Sequence, residues 1–134
     1  MAATPSGDVL LFGGLNYSGT TRNDTWLFNT ATNSWGLLTG SPSTPPARYR
    51  HAMATTPEGV LLFGGYDGSS PTYFNDTWRF NTATNSWGQI TGSPSTPPAR
   101  YGHAMAATPS GDRTAVATSL TTPGSSTPPP TAGV

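Results

Sequence analysis

The chain has no cysteine among its 134 residues, so it can form no disulfide framework and no thiolate-ligated zinc or iron–sulfur site. It has no lysine either. Its six basic residues are all arginine, balanced by six acids, and only 9% of residues are charged. That leaves no basic patch to track a phosphate backbone, and no nucleic-acid partner is expected. Apolar residues make up 34% of the chain, and no run of them approaches the roughly 20 residues of a membrane span. The opening stretch Met1 to Asp8 has neither the basic start nor the apolar core of a secretory signal. No segment keeps a helical period over two turns. Glycine (16) and proline (14) are abundant, which excludes a helical bundle and points to turns, strands or disorder.

The chain is internally repeated. Thr39 to Tyr49 recurs as Thr91 to Tyr101, and Asn29 to Gly36 recurs as Asn81 to Gly88, both 52 residues later. Val9-Leu-Leu-Phe-Gly-Gly14 returns as Val60 to Gly65, offset by 51 because Asp8 lacks a counterpart. One extra residue in the following loop restores the register, so Trp26 maps onto Trp78. Met1 to Asp8 is identical to Met105 to Asp112, which places the first residue in the middle of a unit. The expected organisation is a first repeat over 1–50 with a truncated first strand and a second over 51–102. The first strand of a third unit follows over 103–112, then a Ser/Thr/Pro-rich tail over 113–134, expected to be disordered or polyproline-like.

Each period carries four strand signals. In the second these are His51–Thr56, the apolar run Val60–Phe63 closed by Gly64-Gly65, the alternating Thr77–Phe80, and Ser86–Thr91. Four short strands in about 50 residues is the arithmetic of a propeller blade. Four elements recur in fixed order within residues 1–112. They are the pairs Gly13-Gly14 and Gly64-Gly65; the tetrads Asn23-Asp-Thr-Trp26 and Asn75-Asp-Thr-Trp78; Trp35 and Trp87, each nine residues further on; and Arg48-Tyr-Arg-His51 and Arg100-Tyr-Gly-His103. This pattern resembles the kelch repeat. The resemblance implies an all-β fold of two four-stranded antiparallel blades of kelch-type β-propeller, part of a larger propeller or assembly, in a family used mostly for protein or ligand interaction.

The recurring residues have structural explanations. The glycine pairs lack the spacing of a phosphate cradle and suit close backbone approach. Trp35 and Trp87, repeated once per unit, are expected in the core between blades. His51 and His103 have no second ligand at a short spacing and read as blade-junction residues. Arg48 and Arg100 can satisfy loop carbonyls or an aspartate. No catalytic residue, metal or cofactor is expected: no Ser–His–Asp set can be assembled, and the copper of kelch-containing oxidases is held by Tyr and His from several blades.

The copies differ between their second and third strands, where Leu15–Arg22 stands for Tyr66–Phe74. Tyr17, Arg22, Tyr66, Asp67, Tyr73 and Phe74 are therefore the expected binding residues, with neutral loop drift as the alternative. Asn16, Asn23 and Asn75 begin glycosylation acceptor patterns, and with the absent lysine and the Ser/Thr/Pro tail they favour an extracellular context over a cytoplasmic one. Two blades alone leave two apolar faces wet. The expected function is a non-catalytic structural or protein-interaction module that needs further blades, or copies of itself in a ring or head-to-tail filament. The alternatives are a fragment of a secreted oxidase and a glycan-binding propeller.

Overall fold

A computed structural model describes residues 1–68 and 72–108; the tail expected to be disordered lies outside the described residues. Two four-stranded antiparallel sheets follow one another along the chain. The first runs β1 (Ala2–Ala3), β2 (Val9–Leu15), β3 (Thr21–Asn29), β4 (Ser34–Leu38), and the second β5 (Ala52–Thr56), β6 (Gly59–Phe63), β7 (Thr77–Asn81), β8 (Ser86–Ile90). Both are simple meanders, each strand paired with its sequence neighbour.

The hairpin turns follow from local chemistry. Asn29 Oδ1 accepts the amides of Ala31 (2.9 Å) and Thr32 (3.0 Å), and Asn81 Oδ1 those of Ala83 (2.8 Å) and Thr84 (3.3 Å). Asn33 and Asn85 close the same turns in the left-handed region, at φ 54° and 51°. Asparagine tolerates that conformation better than other non-glycine residues, so identical sequence produces identical hairpins.

Register then sorts the side chains into faces. Leu11 lies opposite Trp26 and Trp26 opposite Leu37, while Val9 faces Phe28 and Phe28 faces Trp35. These six residues form one face of the first sheet; Leu10, Phe12, Thr25, Leu27 and Leu38 form the other. The second sheet repeats the scheme, with Val60, Leu62, Trp78, Phe80, Trp87 and Gln89 on the equivalent of the first face. The core is the seam between sheets: Leu10 and Phe12 from the first meet Val60, Leu62, Trp78, Phe80 and Trp87 from the second. The two sheets also touch at their first strands, where Thr55 Oγ1 donates to the Ala3 carbonyl (2.5 Å).

Three local outcomes differ from the pattern read in sequence. In the first unit the glycine pair does not end the strand: β2 continues through Gly13-Gly14 to Leu15, with a register shift between Phe12 and Gly14. A short turn, Asn16 to Thr20, lets β3 pair along that extension, whereas the longer second loop leaves isolated bridges of Tyr66 with Tyr49 and Tyr73. Trp35, expected in the core like Trp87, is 48% exposed, because no described element covers its face. Residues 103–108, expected to begin a third unit, form no strand; one amide bond from Thr108 to the Thr55 carbonyl (3.1 Å) ties them to the second sheet.

Candidate functional site

The seam between the blades positions everything on the loop face. The Arg48 backbone belongs to the first blade: its amide donates to the Arg22 carbonyl (3.2 Å) and its carbonyl accepts the Gly14 amide (2.9 Å). Its side chain belongs to the second. Nη1 and Nη2 form a two-pronged pair with the Asp76 carboxylate at 2.6 and 2.8 Å, Nη1 also reaches the Gly64 carbonyl (2.9 Å), and Nε donates to Pro46 (3.0 Å). The guanidinium lies 3.8 Å from the centre of the Phe74 ring. Fully buried, Arg48 is thus matched in charge and hydrogen bonding, the condition for burying a charge without large cost. Burial pushes the Asp76 carboxyl up, but hydrogen bonds from Arg48 and the Trp78 indole, with the Arg48 charge, outweigh it and hold the group below its ordinary range.

Trp87 is the second rivet. Its indole packs against Phe12 and Phe80, with ring centres 5.3 and 5.2 Å away, and its Nε1 donates to Thr25 Oγ1 (2.9 Å). His51 stands edge-on to Phe12 at 5.7 Å. Burial, then the amino terminus and Arg48, lower its pKa to about 4 against the opposing pull of the Phe12 carbonyl. It is therefore a neutral packing residue at physiological pH. The glycine pairs make room for this seam: a Cβ on Gly13 would sit 2.8 Å from the Arg48 carbonyl, and one on Gly65 would sit 3.0 Å from the His51 Cβ and 3.1 Å from the Tyr49 carbonyl. Among the described residues, no three His, Asp or Glu side chains gather where an ion could be held. No described helix is long and apolar enough to cross a membrane.

Above the seam the loops bring four tyrosines together. Tyr49 and Tyr66 exchange backbone hydrogen bonds (2.9 and 3.0 Å) and meet ring to ring at 5.4 Å. Tyr66 stacks on Tyr73 (5.1 Å), and Tyr73 on Tyr101 (5.5 Å, 14° between planes). Arg50 lies 5.9 Å from the Tyr49 ring centre and 5.8 Å from that of Tyr101. Its backbone adopts φ 55°, the conformation that Gly102 adopts at the same place in the next unit (φ 68°). A non-glycine residue there carries backbone strain, which commonly marks functional positions. Burial, neighbouring phenols and Asp67 raise the Tyr66 pKa.

Of the expected binding residues, Tyr66 and Tyr73 fall in this cluster and Asp67 adjoins it. Phe74 instead forms the shelf under Arg48. Tyr17 projects into solvent from the 16–20 turn, and Arg22 is exposed on β3. Asn23 and Asn75 are exposed, while Asn16 Oδ1 accepts the Ser18 hydroxyl and the Thr20 amide, each at 2.8 Å. Tyr49, Arg50 and Tyr101 escape a reading that searches only the variable loop. Their signal was the single mismatch, Arg50 for Gly102, inside an otherwise identical Ala-Arg-Tyr-x-His-Ala-Met-Ala segment.

Two consecutive four-stranded antiparallel meanders, packed face to face around an inter-sheet tryptophan, are β-propeller blades. The chain belongs to the kelch-repeat family: residues 1–117 match the KLHDC2/KLHL20/DRC7 Kelch-repeats domain. It is 28% identical over 100 residues to Tip elongation aberrant protein 1 of Schizosaccharomyces pombe, 73% of this chain but 9% of that protein. It is 33% identical over 89 residues to the Rho GTPase-activating protein gacHH of Dictyostelium discoideum, 66% of this chain and 6% of that one. Human Kelch domain-containing protein 3 is 31% identical over 79 residues, 59% of this chain and 21% of its own length. The chain thus spans a small part of each of these relatives.

Proposed function

We propose that the chain is a non-catalytic interaction module whose two blades work beside further blades, and that it holds a protein partner on the Tyr49–Tyr66–Tyr73–Tyr101 face. The observation that carries this reading is the pair of stacked, half-exposed phenols of Tyr73 (46%) and Tyr101 (45%) beside the strained Arg50. Rigid aromatic side chains lose little entropy on binding, and aromatic and arginine side chains dominate contact energies at interfaces. Kelch-repeat membership supports protein contact in general, and the apolar outer face of the first sheet supports the need for more blades.

The test is capture of polypeptides on the immobilised chain, read by cross-linking mass spectrometry. Tyr73→Ser/Tyr101→Ser should lose the cross-linked set that the original chain retains. An unchanged set would overturn the assignment of this face.

A further inference from the structure

The seam inside the molecule is a template, and half of it stands open at each end. On the far side of the second blade, Phe63, Thr77, Pro97, Arg100, His103 and Met105 line a cavity of about 350 Å³. Their equivalents one unit earlier are Phe12, Thr25, Pro45, Arg48, His51 and Met53. In the internal seam, Trp87 fills that place: its indole packs on Phe12 and bonds Thr25. The open socket is already set in the same form. Arg100 Nε donates to Pro98 (3.1 Å) as Arg48 Nε does to Pro46 (3.0 Å), and Ser93 bonds Ser95 as Ser41 bonds Ser43. His103 stands edge-on to Phe63 at 5.5 Å, with both ring nitrogens buried and unpartnered.

The opposite end presents the matching half. Val9, Leu11, Trp26, Phe28, Trp35 and Leu37 form a sheet face that no other described strand covers, with Trp35 48% and Leu37 49% exposed. Five of the six are the same residue types that bury against the first blade as Val60, Leu62, Trp78, Phe80 and Trp87. Asp24 accepts the Trp26 indole (2.8 Å) as Asp76 accepts that of Trp78 (2.7 Å), but has no arginine partner among the described residues. One end offers a guanidinium with no carboxylate partner among the described residues and the counterpart of the socket that Trp87 fills, and the other offers the carboxylate and the indole.

We infer that a second copy of this chain docks head to tail, seating its Trp35 in the Phe63–Thr77–His103 socket and its Asp24 on Arg100. This deepens the reading that the blade faces need covering and names the cover. The interface is heterologous, so each copy keeps one open socket and one open face, and association runs past the dimer. Two positions depart from the template. Arg22 stands where Phe74 supplies the shelf under Arg48, and Arg79 stands where Leu27 faces the seam. Both make the contact between copies weaker than the internal one, and Arg22→Phe should tighten it.

Sedimentation of the full chain tests this. Species larger than a dimer should grow with concentration. Arg100→Asp, which alters an exposed side chain, and Asp24→Arg should each weaken association by roughly tenfold or more. An equimolar mixture of the two variants should restore it, because each then meets a complementary charge. Asp24→Asn, which keeps an acceptor for the Trp26 indole, should weaken association with unchanged circular dichroism. A monomer throughout the micromolar range would overturn the inference, as would association indifferent to both charges or not restored by mixing. Capture of partners on the tyrosine face uses other residues, so loss of either result leaves the other standing.

Discussion

At the residue scale the decisive pair is Arg48 and Asp76, since the guanidinium is fully buried and its carboxylate is 16% exposed. Removing one member strands the other in the seam. Asp76→Ala should therefore cost about 3–5 kcal/mol, read as a shift in the urea midpoint. Arg100→Ala, at the same repeat position but exposed, should stay within about 0.5 kcal/mol in dilute solution, where copies are dissociated. His51 adds a pH dependence. With its pKa lowered to about 4, the folded state stays unprotonated while the unfolded state takes up a proton below about 6.5. Stability should fall by up to about 3 kcal/mol as the pH drops from 6.5 toward 4. Asp76, held below its ordinary value, adds in the same direction, its stabilisation present at neutral pH and lost as the carboxyl protonates. Melting temperatures of His51→Phe and the original chain across this range check it: the variant should lose less on acidification.

At the scale of the element, β4 and β8 carry nearly the same sequence and differ in consequence. Trp87 is 3% exposed and Trp35 48%. Trp87→Ala should cost about 3–5 kcal/mol, through lost burial and the cavity left between Phe12 and Phe80. Trp35→Ala should cost about 1 kcal/mol in the dissociated chain, from partial contact with Phe28. Denaturation followed at low concentration separates the two. The β5–β6 turn has a stricter requirement. Gly59 has φ 141°, and a Cβ there would collide with the Phe80 carbonyl, so Gly59→Ala should disrupt the β6–β7 pairing. Loss of β-sheet circular dichroism at room temperature is the expected result.

At the scale of the whole molecule, the two sheets do not have separate cores. Leu10 and Phe12 of the first are buried in one cluster with Val60, Leu62, Trp78, Phe80 and Trp87 of the second. The pair should therefore unfold as one cooperative unit, with coincident transitions by tryptophan fluorescence and far-ultraviolet circular dichroism. Two separated transitions would show that the seam contributes less than the sheets themselves. The same architecture sets the loop face: the connector after the first blade is stitched into that sheet by its backbone and riveted to the second by Arg48. The tyrosine cluster is thus held across both blades.

The sequence by itself determined whatever depends on local chemistry and period. The 52-residue repeat, four strands per unit, the asparagine-capped hairpins and the glycine pairs all follow from short-range patterns that read the same in both copies. Tertiary structure decided what each copy does with them. Trp35 and Trp87 sit in identical segments, as do Arg48 and Arg100, yet one of each pair is buried and the other exposed. No local signal could separate them, because burial depends on which face a neighbour covers. The tyrosine cluster likewise draws on residues 49 to 101, distant in sequence and joined only where two connectors and a loop meet at one edge. Strand formation follows from nearby residues, whereas the seam and the contact face follow from how one blade is laid on the next.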